Sequence, residues 1–226
     1  MKCTNDIRAD LIEKYLEQDF VIDRTGAKTI EVLGESFVAT EDWLIRTPAY
    51  KYIERELEWY KSQSLYVDDI PGETPQIWKD ISSDEGMINS NYGWCVFSEE
   101  NGNQYKHVLR ELRNNPNSRR AVMLYNRPSM HLDYNRDGMS DFMCTYSNTF
   151  MIRDGCLISH YLMRSNDAVF GYNNDVAWAK FVQGQLAYDL GIPCGDLIWT
   201  ATNLHVYERH FEFIEDLVRA EHKVVT

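Results

Sequence analysis

Apolar residues recur at helical spacing near the start of the chain, where Ile7, Leu11, Ile12, Tyr15 and Leu16 share one face of Asp6 to Asp19. That stripe predicts an amphipathic first helix. The pattern then changes to Phe20-Val21-Ile22, the turn residues Asp23-Arg24-Thr25-Gly26, and Thr29 to Leu33, which reads as two strands around a turn that holds Arg24. Helical spacing returns in Ile53, Leu57 and Tyr60, in Tyr105, Val108, Leu109 and Leu112, in Val176 to Leu190, and in Val206 to Val218. The run Asn114-Asn115-Pro116-Asn117-Ser118 predicts a turn, because proline stops a helix and asparagine tolerates a left-handed exit. Arg119-Arg120 then opens a strand over Ala121 to Tyr125. Helices interleaved with strands, without repeats, linkers or low-complexity tracts, predict one α+β domain over 1–226 with a largely antiparallel sheet.

Asp154-Gly155 is a strong signal for a two-residue hairpin, since a type I′ turn needs positive φ at both central positions. An unbulged register would set Cys144 directly across from Ser165 and beside Arg164. A thiol would then face a hydroxyl and a guanidinium.

Composition narrows the classes. The chain has 226 residues, 44% hydrophobic and 26% charged, enough for one sizeable core, and its formal charge is −12 with no basic block that a nucleic-acid polymer would require. No apolar run reaches the length of a membrane span, and Met1 to Asp10 lacks the order of a signal peptide, so a cytosolic protein is expected. Five cysteines without a Cys-x-x-Cys pair predict free thiols, and His205 and His210, five residues apart, miss the spacing of a helical zinc site. No metal is expected.

Taken singly, the polar candidates have plain structural readings. Cysteine is among the most buried residue types, Arg164 suits a strand-end ion pair, Arg119-Arg120 suits a solvated face, and His205 and Tyr207 could begin a helix. Their order along the chain is more informative. Asp23-Arg24-Thr25-Gly26, Arg55-Glu56-Leu57-Glu58-Trp59-Tyr60, Asn91-Tyr92-Gly93, Asn115-Pro116-Asn117-Ser118-Arg119-Arg120, Cys144, Arg164-Ser165-Asn166-Asp167, Gly195 to Thr200 and His205-Val206-Tyr207 follow one another. In this order the chain resembles the thymidylate synthases from end to end. Within that superfamily, Asp137 to Thr145 and Ile70 to Pro75 look most like the phage deoxycytidylate hydroxymethylases.

The resemblance implies a thymidylate-synthase-like fold and a role for each matching position. Cys144 would add to carbon 6 of a pyrimidine deoxynucleoside monophosphate, a nearby arginine favouring the thiolate, so that carbon 5 attacks 5,10-methylenetetrahydrofolate. Arg24, Arg164 and Ser165 would hold the 5′-phosphate, and Arg119 and Arg120 would reach the phosphate of a neighbouring subunit, implying a homodimer with shared sites. Glu56 would act as acid and base through ordered water on the folate side, with Tyr92 handling or positioning a proton. His205 and Tyr207 would bind the sugar 3′-hydroxyl, and Asp167 would face the folate pterin.

Thymidylate synthases place an asparagine four residues beyond the glycine that here is Gly171; this chain has Asp175. A carboxylate accepts from the cytosine amino group where uracil has a carbonyl, so Asp175 points to dCMP, while a plain helix N-cap before Val176 is the alternative. Phe142-Met143 before Cys144 and Thr145 after it, in place of Pro-Pro and His, are shared with the hydroxymethylases and favour water as final acceptor. The sequence ends sixteen residues after His210, so the long C-terminal segment that closes over folate in thymidylate synthases is expected to be missing or much reduced. The expected activity is dCMP 5-hydroxymethylation, in the host cytoplasm for a phage-encoded chain. The rivals are reductive methylation of dCMP or dUMP on the same fold, and a non-catalytic nucleotide-binding protein.

Overall fold

A computed structural model describes residues 1–23 and 26–224. In chain order the elements are β1 (Lys2–Cys3), α1 (Thr4–Leu16), β2 (Val21–Ile22), β3 (Lys28–Val38), α2 (Tyr50–Ser62), α3 (Gln76–Ile81), α4 (Tyr92–Phe97) and α5 (Gln104–Asn114). They continue with β4 (Val122–Leu124), α6 (Met130–Asp133), β5 (Thr145–Arg153), β6 (Cys156–Met163), β7 (Asn166–Asp167), α7 (Gly171–Leu190), β8 (Cys194–Tyr207) and α8 (Phe211–Val224). The strands form one sheet in the order β1-β3-β8-β6-β5-β4, with β2 added to β3 and β7 to β8. Pairings β2·β3, β3·β8, β4·β5 and β5·β6 are antiparallel, while β1·β3, β6·β8 and β7·β8 are parallel. The sheet is mixed and mainly antiparallel, as expected, and one contiguous core runs from Ile7 to Ile214.

Local sequence explains most of the elements. Ile7, Leu11 and Ile12 bury one side of α1 against β3, although Leu16, read as part of that stripe, lies exposed at the helix end. α5 stops at Asn114, and Ser118 closes the following turn by donating its N–H to the Asn115 carbonyl at 2.9 Å. α4 begins where the Asn91 side chain accepts from the Trp94 N–H at 2.8 Å, an N-cap that satisfies one of the orphan donors of a helix start. Gly93 on α4 is required by close approach, because a Cβ there would lie 1.7 Å from the Tyr60 carbonyl oxygen of α2. This contact brings Tyr92 against the second half of α2.

Two expectations are corrected. The helix expected over Val206 to Val218 starts only at Phe211, and Val206 and Tyr207 end β8 instead. Their backbone is claimed by β3, where Ile30 pairs with Val206 and Thr29 with Tyr207, so a ladder outweighs the helical spacing. His205 and Tyr207 therefore do not begin a helix.

The second correction concerns the hairpin register. Asp154 and Gly155 have φ of 50° and 75°, the type I′ pattern, and the pairing runs unbroken from Arg153↔Cys156 to Ser147↔Leu162. A bulge then makes Tyr146 an extra residue, and Thr145 pairs with Met163. Beyond it the Arg164 N–H donates to the Cys144 carbonyl at 2.9 Å. Cys144 thus stands opposite Arg164, not Ser165. The bulge also switches the inward face from the even residues Phe150 and Asn148 to the odd residues Thr145 and Met143, which are fully buried.

Candidate active site

The bulge sets Cys144 at the mouth of β5 with its thiol 3.5 Å from Nη2 of Arg164. The same guanidinium donates to the carbonyls of Met143 at 3.0 Å and Phe142 at 2.6 Å and lies over the Phe142 ring. Arg164 thereby ties the end of β6 to the loop that carries the nucleophile candidate. Burial pushes the Cys144 thiol up to about 11, because the Arg164 charge opposes the desolvation without overcoming it and the Asp175 and Asp141 carboxylates add to it. The expected arginine effect has the right sign but does not win: Cys144 rests as a thiol at neutral pH.

Thr145, the residue after the bulge, donates its hydroxyl to Tyr92 Oη at 3.0 Å and lies 3.2 Å from the Tyr161 hydroxyl. Tyr92 in turn donates to Asp175 Oδ1 at 3.1 Å. The other oxygen of Asp175 accepts from Asn166 Nδ2 at 2.8 Å, and Asn166 Oδ1 accepts from the Trp199 indole at 3.1 Å. Tyr92 cannot swing away, since its ring meets Tyr60, Tyr125 and Trp178 with centroids 5.1, 5.3 and 6.2 Å apart, and close aromatic pairs contribute roughly 0.5–1.5 kcal/mol each. Desolvation and the neighbouring Glu56 charge raise the Asp175 carboxyl to about 8, although part of its surface stays open.

Asp175 does not cap its helix. α7 starts at Gly171, five residues before Val176, and the Asp167 carboxylate accepts from the N–H groups of Val169, Phe170 and Gly171 at 3.1, 3.2 and 3.4 Å. Asp167 is the residue that holds the start of α7, which leaves Asp175 one turn into the helix with its side chain turned to Tyr92 and Asn166.

Glu56 lies on α2 and is 3% exposed. Its Oε1 accepts from the Tyr52 hydroxyl at 2.6 Å, and that hydroxyl accepts from the Trp78 indole of α3 at 2.8 Å. Burial pushes Glu56 up to about 7 against the pull of these hydrogen bonds. His205 and Tyr207, two apart on β8, share a face with ring centroids 4.7 Å apart, and β7 places Asp167 beside His205. Burial lowers the His205 pKa against the opposing pull of Asp167, which favours the neutral imidazole. Cys144 lies within electrostatic reach of Tyr92 and Tyr207, and Asp167 and Glu56 within reach of Asp175. Ser165 follows Arg164 and is half-buried.

Two expected residues stand apart from this cluster, and a third is not described. Arg24 lies outside the described residues. Arg119 and Arg120 are exposed ahead of β4, whose pairing runs Val122↔Thr149 to Leu124↔Ser147, so they sit at the opposite end of the β4–β5 ladder from Cys144. Arg120 pairs with Glu111 at 3.0 Å. The arginine pair does not meet the thiol of its own chain.

Tyr52, Trp78, Asn166 and Asp141 join the site although no role was expected of them. Asp141, 4% exposed, accepts from the Asn89 and Ser90 N–H groups at 2.7 and 2.8 Å and from the Ser90 hydroxyl at 2.6 Å, which ties the nucleophile loop to the segment leading into α4. Only Tyr52 left a local signal, a hydroxyl four residues before Glu56 on one helix face.

Among the described residues no helix is long and apolar enough to cross a membrane. Comparison with known proteins places the geometry in context. The family model for thymidylate synthase matches residues 9–226. The chain is 52% identical over 217 residues to the deoxycytidylate 5-hydroxymethyltransferase of Enterobacteria phage T4, covering 93% of this chain and 88% of that protein. It is 29% identical over 227 residues to the thymidylate synthase of Bacillus subtilis subsp. natto, covering 92% and 79%. The structure of thermostable thymidylate synthase A from Bacillus subtilis superposes with a TM-score of 0.72 at 24% identity, over 95% of this chain and 83% of that one. A family match over nearly the whole length, on the same mixed sheet, shows that the chain belongs to the thymidylate synthase family.

Proposed function

We propose that this chain is a dCMP 5-hydroxymethyltransferase that uses 5,10-methylenetetrahydrofolate as co-substrate and water as final acceptor, in a single catalytic domain over 1–226. The observation that carries the reading is Asp175: a carboxylate, held by Tyr92 and Asn166 within the cluster that contains Cys144, stands where the thymidylate synthase pattern has an amide. With a pKa near 8 it can exist in either protonation state at neutral pH, which suits an edge that offers an amino donor and a ring nitrogen. The similarity to phage deoxycytidylate 5-hydroxymethyltransferases supports the same reading.

In this reading Cys144 loses its proton as sulfur bonds to carbon 6 of the pyrimidine, and electrons move to carbon 5. The folate co-substrate supplies a one-carbon unit at the oxidation level of formaldehyde. After carbon 5 bonds to that unit, loss of the carbon 5 proton breaks the carbon–nitrogen bond to the folate, so tetrahydrofolate leaves and an exocyclic methylene remains. Water adds to that methylene, and the electrons returned to the ring break the carbon–sulfur bond and release the thiolate. Glu56, near pH 7 able to hold or release a proton, moves protons through water on the folate side, and Tyr92 orients one at the ring. Arg164 and Ser165 hold the 5′-phosphate, and the resemblance adds Arg24 to them. His205 and Tyr207 take the 3′-hydroxyl, and Asp167, beyond its capping bonds, faces the pterin.

Arg119 and Arg120 lie ahead of β4, at the far end of its ladder from their own Cys144, and this supports a homodimer in which they complete the partner's phosphate site. Mixing inactive Cys144→Ala and Arg119→Ala chains should restore part of the activity; subunit exchange without any recovery would remove the shared site. The reaction would run in the cytoplasm, that of the host for a phage-encoded chain. The main test is incubation with dCMP, dUMP or CMP plus methylenetetrahydrofolate, followed by mass analysis. Hydroxymethyl-dCMP with unoxidised tetrahydrofolate is expected, whereas a methylated base with stoichiometric dihydrofolate would establish reductive methylation instead.

A further inference from the structure

The contacts behind Glu56 have a direction. Tyr52 and Glu56 are four residues apart on α2, which places them on one face of the helix. Trp78 reaches them from α3, and its position is held from two sides. The Arg55 guanidinium binds the carbonyls of Pro71 and Glu73 in the loop before α3, and the Trp78 ring stands edge-on to Trp59 at 5.2 Å.

An indole N–H can only donate. The Tyr52 oxygen therefore receives the Trp78 hydrogen at 2.8 Å, and its single proton points the other way, to Glu56 Oε1 at 2.6 Å. With its donor locked in this orientation, Oε1 is always an acceptor. A proton arriving on Glu56 is left with Oε2.

We infer that Tyr52, oriented by Trp78, is a positioning residue that confines proton exchange by Glu56 to its Oε2 oxygen. The inference rests on the reading of Glu56 as the acid–base group. Two things follow. The carboxyl keeps one open oxygen for water or substrate, and it does not rotate to present the other. The Tyr52 bond also favours the charged carboxylate, so it holds Glu56 below the value that burial alone would set. A tyrosine that merely fills space would do neither.

Tyr52→Phe removes one oxygen and keeps the ring against its neighbours, and circular dichroism confirms folding. Two readouts are compared in wild type, Tyr52→Phe and Trp78→Phe, with Glu56→Gln as reference. One is the pH profile of kcat/KM for dCMP. The other is the 13C NMR titration of the Glu56 carboxyl in the full chain, assigned by its loss in Glu56→Gln. In wild type both should have a midpoint near 7. In Tyr52→Phe both should move upward by roughly one to two pH units, the cost of losing one hydrogen bond to a charged group. Trp78→Phe frees the phenol without deleting it and should move them by less, in the same direction. If Glu56→Gln removes the limb while Tyr52→Phe and Trp78→Phe leave limb and NMR midpoint in place, the relay is wrong and the role of Glu56 stands. If the limb persists in Glu56→Gln, the acid–base reading itself is wrong, and the inference that depends on it is overturned with it; the NMR midpoint then shows separately whether Tyr52 governs the carboxyl.

Discussion

Glu56 and Asp175 are two carboxylates under similar conditions with different freedom. Both are raised by desolvation, to about 7 and about 8, and each ends a chain of hydrogen bonds that starts at an indole, Trp78 for Glu56 and Trp199 for Asp175. Glu56 accepts on one oxygen from Tyr52. Asp175 accepts on both, from Tyr92 and Asn166. A carboxylate with an open oxygen can exchange a proton, whereas one clamped on both sides is fixed in orientation and suits recognition of an edge. The same residue chemistry therefore serves two tasks, separated by the donors that tertiary structure brings to each oxygen.

Substitutions separate the two carboxylates, beginning with the nucleophile that both would serve. Cys144→Ser sets the floor: turnover should vanish while dCMP binding remains, since a hydroxyl is a far weaker nucleophile at neutral pH. Measurable turnover would take the nucleophile's role from Cys144 and leave both carboxylates without a reaction to serve.

Glu56→Gln should come next, lowering kcat by about 10²–10⁴-fold with little change in the dCMP dissociation constant, the range expected when an acid–base group is lost. A variant that lost binding instead would make Glu56 a recognition group and erase the contrast with Asp175.

Asp175→Asn should do the reverse. Binding survives, and the ratio of kcat/KM for dUMP to that for dCMP rises by roughly tenfold or more, because each mismatched buried hydrogen-bonding group costs about 1–3 kcal/mol. An unchanged preference in a folded variant would place base selection elsewhere. The same variant tests the titration. A carboxyl raised in the folded state contributes stability that is full below its unfolded pKa and is lost as pH rises through the folded one. Wild type should therefore lose thermal stability relative to Asp175→Asn as pH rises from about 4 to about 8. Parallel melting curves across that window would remove the raised pKa.

Thr145→Val should have the smallest effect. It deletes the donor to Tyr92 behind Asp175 while keeping shape, so it should lower stability by about 1 kcal/mol and change the dCMP to dUMP ratio by only a few-fold. A shift as large as that of Asp175→Asn would mean that the chain of hydroxyls, and not the carboxylate, reads the base.

The α+β class, the first helix, the turn at Asn115-Pro116 and the Asp154-Gly155 hairpin were legible in the amino-acid sequence, and the resemblance nominated Cys144, Arg164, Asp175 and Glu56 as site residues. These follow from spacing and turn chemistry that act over a few residues, and from an ordered set of motifs that spans the chain. Tertiary structure decided the rest. The bulge at Tyr146 moved Cys144 from Ser165 to Arg164, because the inward face had to change between Asn148 and Thr145. Pairing with β3 kept Val206 and Tyr207 in a strand despite their helical spacing. Asp167 took the capping role that left Asp175 free, and burial outweighed Arg164 at the Cys144 thiol. The directions of the hydrogen bonds at Glu56 and Asp175 come from Trp78 and Trp199, each 22 or more residues away in the chain, and a donor's direction is set by what lies across the fold from it.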